Sequence, residues 1–299
     1  MGTDATTGII AIETGVETAG AIAFWRLSGS TNHQRLVNEW TARGLDVKLV
    51  PSLPTPEVAL RAACHEQQET RILIRPLEKR AGYSVVREKA SGDDLAWGVL
   101  LRAKVDVIGQ LHVEPGEVPQ TPEQLSARVA KLNADFTSHM QTIPQARMSG
   151  WLVDLATRVA AVRLRDTGGI YFVPRPALDE WREMVRAIRA ASSHAVFEIP
   201  SMRSDEAVAA ILDAITQEAE TALAALEKEL AEGDLGGRAL ENRANEARAL
   251  KGKVSTYEKL LGKKMDAMQA SLENIAANLT AAALAKTAAE EDARAARAA

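Results

Sequence analysis

The amino-acid sequence predicts an α+β protein with a small mixed N-terminal domain, a helical middle segment containing a β-hairpin, and a long C-terminal helical hairpin or coiled coil. Residues 1–119 mix the period-2 pattern of strands with the 3.6-residue period of helices. Residues 120–200 predict three helices and one hairpin. From Ser201 to Ala299, Tyr257 is the only aromatic residue and alanine dominates the apolar positions, which is typical of long packed helices.

The predicted N-terminal domain, residues 1–119, begins with the β-prone run GAIAFWRLSG and a helix that Asn32 can cap. A short strand, DVKLVP, and a second helix that starts at Thr55 and Pro56 follow. Glycine-containing turn sequences separate strand candidates at 71–77, 82–89, 97–107 and 110–115. We therefore expect an antiparallel meander.

The middle segment, residues 120–200, has a winged-helix-like outline between residues 121 and 191. A capped amphipathic helix, a second helix that starts near Trp151, the hairpin VRLRD-TGG-IYFVP and a third helix after Pro176 follow one another in about 70 residues. Modules of this outline mediate contacts with proteins as well as with DNA, so the topology alone assigns no function.

The predicted helical hairpin occupies residues 201–286. Apolar residues from Val208 to Leu230 follow the steps of four and three of a coiled-coil seam, and EGDLGG supplies a turn. A second seam continues at intervals of seven from Leu240 to Ile275. At about 1.5 Å per residue, a first helix of roughly 43 Å and a second of roughly 75 Å cannot match in length. The Ala-rich residues 287–299 predict a disordered tail or a fraying helix end.

The length mismatch predicts a partner-binding seam. Five apolar residues continue the second seam beyond the reach of the first helix, and uncovered apolar helix surface is normally buried against something. We expect this seam to mediate self-association or docking of a protein partner, with folding back onto the N-terminal body as the competing outcome. The predicted interaction residues are Leu261, Met268, Leu272, Ile275 and Leu279.

Nucleic-acid binding is the alternative function. Between residues 141 and 175 the basic residues exceed the acidic ones, and the winged-helix outline places several arginines where they can meet phosphates. The candidate contacts are Arg158, Arg163, Arg165 and Arg175. An ordinary solvated sheet face has the same pattern, and neither lysine clusters nor exposed aromatic residues accompany it.

The tripeptide Asp166-Thr167-Gly168 resembles the catalytic centre of aspartic proteases. Such a centre needs a second Asp nearby to share a proton, and the sequence contains no second Asp-Thr/Ser-Gly, although a homodimer could supply one. We interpret the tripeptide as part of a hairpin turn, in which Gly168 and Gly169 provide positive-φ positions.

Other enzyme signatures are absent from the sequence. It contains no GxxxxGK[ST] and no GxGxxG loop, and the five histidines lack metal-ligand spacing. Cys64 and His65 are adjacent on a predicted helix and point about 100° apart, so they cannot form a nucleophile–base pair. We therefore predict a protein that is not an enzyme, with no catalytic, metal or cofactor site.

Bulk properties predict a cytoplasmic location. The net charge is −4, and a single cysteine excludes internal disulfides and fits a reducing compartment. No apolar run reaches the roughly 18 residues of a membrane span, and the first residues have no secretory-signal pattern, so we expect no membrane partner.

At RDTGGIYFVP (residues 165–174) and FEIPSMRSDEAVAAILDAI (residues 197–215), the chain resembles an uncharacterised bacterial and phage family of unknown function, some members of which lie beside AAA+ ATPase genes. The resemblance covers about residues 95–265 and transfers no catalytic residue. It implies a non-enzymatic partner of a larger ATPase-containing system.

Overall fold

The structure is a computed structural model that describes residues 18–78, 82–91, 94–165 and 168–298. Its elements are β1 (Thr18–Arg26), β2 (Thr31–Asn32), α1 (His33–Ala42), α2 (Pro56–His65), β3 (Ile72–Pro76), β4 (Tyr83–Ser91), β5 (Asp94–Val105), β6 (Leu111–Pro115), α3 (Pro122–Gln141), β7 (Thr142–Ile143), α4 (Gln145–Arg158), β8 (Val162–Arg163), β9 (Ile170–Pro174), α5 (Leu178–Ala191), β10 (Ala195–Met202), α6 (Asp205–Glu232), α7 (Gly237–Leu261) and α8 (Asp266–Ala298). The α+β class is confirmed.

The described residues group into two compact units, both discontinuous in sequence. Of the described residues, the first unit contains those within 18–25, 153–182 and 196–298, and the second contains those within 26–152 and 183–195. The predicted division at residues 119, 200 and 286 stays a prediction about independently folding segments. Strand β1 pairs with β9, far along the chain, and is not part of the β3–β6 sheet.

The second unit contains the predicted meander. Strands β3, β4, β5 and β6 pair antiparallel in that order, and α2 and α3 pack on the sheet around Leu60, Leu100 and Leu132. Asn32 caps α1, as predicted, and Thr121 with Gln124 forms a capping box at α3. The predicted strand DVKLVP is wrong: Val47–Leu49 is a 3₁₀ turn, because the Asp46 side chain accepts a hydrogen bond from Lys48 N.

Two buried polar residues in the second unit have structural roles. His194 Nδ1 accepts a hydrogen bond from Ser28 N at 3.1 Å, and Nε2 lies 2.9 Å from Thr31 Oγ1. Burial lowers the pKa of His194, so the neutral ring is favoured. Cys64 is fully buried under the meander, and burial raises the pKa of its thiol to about 12.

The first unit contains a sheet of order β10-β1-β9-β8 and the three C-terminal helices. The predicted hairpin is present as β8 and β9, with Leu164 N donating to Ile170 O. Gly168 has a φ of +93°, in keeping with the turn interpretation, whereas Asp166 and Thr167 lie outside the described residues. The predicted order of helix, helix, hairpin and helix is present along the chain as α3, α4, the hairpin and α5, and β9 is also paired with β1.

The C-terminal helical hairpin is confirmed, and α7 and α8 pack together in it. The sequence had instead predicted α6 and the helix after EGDLGG as its two arms. The predicted continuous second helix is wrong, because α7 ends at Leu261 and Gly262 adopts the left-handed conformation (φ +66°) that favours glycine. The chain then begins α8 at Asp266. Helix α6 contacts both arms. The Ala-rich end continues as helix through Ala298, and the alternative of a disordered tail stays a prediction.

Because of this second turn, the five apolar residues that were predicted to extend beyond the first helix are covered. Leu261, Leu272, Ile275 and Leu279 are at most 5% exposed, and Met268 packs against the core of the first unit. The expectation of an uncovered seam is therefore wrong, since α6, α7 and α8 bury these side chains against one another. They contribute to stability and do not form an exposed surface.

Candidate functional site

A concave surface of the first unit lies along α6 and α7. One pocket of about 450 Å³ is lined by residues of α4, β8, β9, α6 and α7, including Arg163 and Tyr171. A second pocket, of about 640 Å³, is lined by α4, α6 and α7, including Arg158 and Arg243. We call them the Arg163 pocket and the Arg243 pocket. They share Thr157, Glu218, Ala222, Ala225 and Lys253, so together they form one depression, the α6–α7 groove.

Small residues keep the groove open. It is lined by Ala222 and Ala225 on α6 and by Ala249 and Gly252 on α7. Such short side chains allow the backbone of another helix to approach closely. The lining residues on α6 extend from Ala214 to Glu229, a rise of about 22 Å along the helix. The groove is therefore long, shallow and lined mainly by apolar atoms.

An ion pair lies where the two pockets meet. Lys253 Nζ donates to Glu218 Oε1 at 2.6 Å and to the carbonyl oxygen of Ala161 at 2.7 Å. Only 10% of the Lys253 side chain is exposed, whereas Glu218 is 36% exposed. Burial lowers the pKa of Lys253, and the neighbouring carboxylate opposes that effect. Because two acceptors hold the ammonium group, Lys253 fixes α6 and the end of α4 beside α7 along the groove.

Tyr257 completes this anchor one helical turn further along α7. Its hydroxyl donates to the carbonyl oxygen of Ala160 at 2.8 Å, and burial raises its pKa. Ala160 has a φ of +56°, an uncommon conformation for a residue with a side chain. Lys253 and Tyr257 therefore bind two successive carbonyls at the end of α4 and hold that end beside α7.

The charges around the groove differ between its two pockets. In the Arg243 pocket, the Arg243 guanidinium contacts Glu229 at 2.6 Å and Glu246 at 2.8 Å, and these carboxylates raise its pKa. In the Arg163 pocket, Arg163 Nε and Nη2 donate to Tyr171 Oη at 3.2 and 3.0 Å. These hydrogen bonds go to a hydroxyl, and none of the ion pairs between described residues includes Arg163. Among the described residues, therefore, no carboxylate compensates the charge of Arg163.

The four predicted nucleic-acid contacts are not brought into one cluster around a single pocket. Arg163 lines the Arg163 pocket, and Arg158 lines the Arg243 pocket with its Nε 3.7 Å from Glu180 Oε1. Arg165 and Arg175 are exposed and line neither pocket. The groove itself was not predicted from the sequence. Its only sequence signal was the run of alanines on α6, which the heptad pattern assigned to helix packing.

Two searches of the described residues bear on other kinds of site. No group of three or more His, Cys, Asp or Glu side chains placed to hold a metal ion occurs within residues 18–78, 82–91, 94–165 and 168–298. Over the same ranges, none of the helices is both long and apolar enough to cross a membrane.

Fold and groove together define an α+β protein with a C-terminal three-helix element that carries a long groove of small residues. The chain belongs to the Family of unknown function (DUF6744), whose model matches residues 20–290. Comparison with curated proteins finds no match, and comparison with solved structures finds none either.

Proposed function

We propose that this protein is a non-enzymatic interaction protein that docks a partner on its C-terminal helices, in the α6–α7 groove. The groove's length carries the proposal: about 22 Å of α6 lines it, which corresponds to about four turns of a bound helix. Grooves that accept an amphipathic helix are long and apolar. The docking surface differs from the seam that the sequence predicted.

The same proposal includes the cellular system and the compartment in which the protein acts. The resemblance to a bacterial and phage family favours an accessory role in an ATPase-containing system, and the single cysteine favours the cytoplasm. Self-association through coiled-coil contacts is retained as a form of partner docking, in which a second copy supplies the bound element.

The test fills the groove without touching the core. Ala225 is exposed within the groove, so Ala225→Trp occupies the space that a partner needs. Ala224 is exposed on the same helix outside both pockets, so Ala224→Trp is the matched control. We expect affinity capture with the full chain to recover a defined partner with wild type and Ala224→Trp, and at least about tenfold less with Ala225→Trp, the change that about 1.4 kcal/mol of lost binding produces. Equal recovery with both variants would exclude the groove.

Nucleic-acid binding remains the second candidate because Arg163 and Arg165 are exposed at the β8 end of the hairpin. A phosphate contact made by either arginine should show as salt-dependent binding. We expect binding to a 20-base-pair duplex, followed by fluorescence anisotropy, to weaken with Arg165→Gln and to fall steeply with salt if this candidate is correct. Duplex binding that is unmeasurable at low salt would remove it.

A further inference from the structure

The Arg163 pocket presents an arginine that is held in position and that no carboxylate of the described residues neutralises. Two hydrogen bonds to Tyr171 Oη fix the guanidinium, and its carbon lies 5.6 Å from the centre of the Tyr171 ring. Tyr171 in turn stacks on Trp25, with 5.1 Å between ring centres. A guanidinium held by a rigid aromatic pair loses little side-chain entropy when it binds an anion.

The other cations of the groove already have carboxylate partners. Glu218 contacts Lys253, Glu229 and Glu246 contact Arg243, and Glu180 lies near Arg158. Arg163 is the exception among the four, within the part of the chain that the structure describes. A partner that lies in the groove therefore meets excess positive charge at one end only.

We infer that the groove binds an amphipathic helix of another protein, about four turns long, that places an acidic side chain against Arg163. This inference rests on the proposed function and adds the partner's chemistry and orientation. The small residues of α6 and α7 contact the apolar face of the bound helix, and Arg163 sets which end of it lies over the Arg163 pocket. An arginine can bind both oxygens of a carboxylate at once, and this bidentate contact adds geometric specificity as well as binding energy.

A second copy of the chain is the less favoured occupant. The apolar seams of α6, α7 and α8 are already buried in the cores of the first unit, and the apolar faces of α2 and α3 are buried under the meander. The large apolar residues of α4 and α5 are also buried, among them Leu152, Leu155, Trp181 and Ile188. None of these described helices therefore offers another copy an uncovered apolar face of four turns.

Three synthetic 16-residue helical peptides test the inference. They share one alanine/leucine face and differ only in a flanking residue near one end, which is Glu, Gln or Lys. Fluorescence anisotropy with the full chain measures their affinities. We expect the Glu peptide to bind at least about tenfold more tightly than the Gln peptide, as charge-assisted hydrogen bonds allow, with the Lys peptide weakest.

Protein variants assign the preference to Arg163. Arg163→Gln should remove the difference between the Glu and Gln peptides, whereas Arg165→Gln should keep it. Tyr171→Phe removes the hydrogen bonds but keeps the charge, and should reduce the difference without abolishing it. Circular dichroism of each variant confirms that the fold is retained.

The outcomes separate the inference from the function on which it rests. If all three peptides bind equally and Ala225→Trp weakens them all, the groove docks helices but the acidic preference is wrong. If no peptide binds, or Ala225→Trp changes nothing, the helix assignment is overturned as well. If Arg163→Gln weakens the binding of duplex DNA while the peptides show no preference for the acidic residue, the inference fails and nucleic-acid binding is favoured instead. Concentration-dependent dimers that Ala225→Trp abolishes would replace the partner protein with a second copy.

Discussion

Lys253 links the chemistry of single residues to the shape of the groove. Its ammonium group contacts a carboxylate on α6 and a backbone carbonyl at the end of α4, so one side chain joins three segments. A cation with only 10% of its side chain exposed is costly to bury unless it has such partners. The residue therefore supports the groove by satisfying acceptors that would otherwise lose their hydrogen bonds.

We expect Lys253→Met to lower the free energy of unfolding by about 2 kcal/mol, the range of a hydrogen bond to a charged group, moderated by the partial exposure of Glu218. The double variant Lys253→Met/Glu218→Leu should recover part of this loss, because no carboxylate is left without its partner. Lys259, which is exposed on the same helix, provides the control Lys259→Met. Urea unfolding followed by circular dichroism measures all three, and a Lys253→Met value within about 0.5 kcal/mol of wild type would contradict this role.

Residue-level signals explain which features could be predicted from the sequence. Asn32 and Thr121 are strong cap residues, and both cap the expected helices. Arg163 was singled out for phosphate contact, but its bond to Tyr171 depends on strand pairing that brings the two side chains together. Lys253 carried no signal, because its partners lie 35 and 92 positions away in the chain.

At the level of elements, the turn at Gly262 shows how a regular pattern can mislead. The apolar seven-residue spacing runs without interruption from Leu240 to Ile275, and it predicted one helix. Glycine is the commonest residue just beyond a helix end, and Gly262 was the available signal for a second turn. Both arms bury the same seam, so the spacing correctly identified the buried residues but not the path of the chain.

The close approach of α7 to α8 depends on Gly237. A Cβ atom at this position would lie 2.4 Å from Thr287 Oγ1 and 3.2 Å from the carbonyl oxygen of Ala283. We expect Gly237→Ala to destabilise the protein by about 1–3 kcal/mol, as overpacking does. Gly252→Ala is the matched change inside the same helix, where nothing lies within 4 Å, and it should be stabilising by up to about 1 kcal/mol.

Thermal unfolding compares the two alanine variants. Opposite shifts of the melting temperature are expected because one change adds a clash and the other only improves helix propensity. If both variants shift in the same direction by similar amounts, the packing of α7 on α8 is looser than the distances at Gly237 imply.

For the whole molecule, α8 is an integral part of the first unit. It supplies Ile275, Leu279 and Ala283 to a cluster with Leu226 and Leu240. The sequence predicted the class and nearly all elements, because local periodicity and caps specify them. It did not predict the assignment of segments to the two units, since that assignment is set by long-range pairing such as β1 with β9.

We expect a chain that ends after Gly262 to lose the cooperative unfolding of the first unit, because it exposes the apolar faces that α8 covers. A chain that ends after Lys286 should unfold like the full protein, since side chains 284–294 are exposed. Differential scanning calorimetry and size-exclusion chromatography distinguish the two. A shorter chain that remains monomeric with an unchanged transition would show that α8 is dispensable.

Because β1 pairs with β9, it cannot find its neighbour until late in the synthesis of the chain. Ile22 pairs with Phe172, and the ribosome must add about 150 residues between them, which takes roughly 8–30 s at typical elongation rates. During that interval the strand AGAIAFW has left the ribosome without its neighbours, and it has the apolar, uncharged character of an aggregation-prone segment. The newly made chain therefore holds this apolar segment unpaired until the hairpin has been translated.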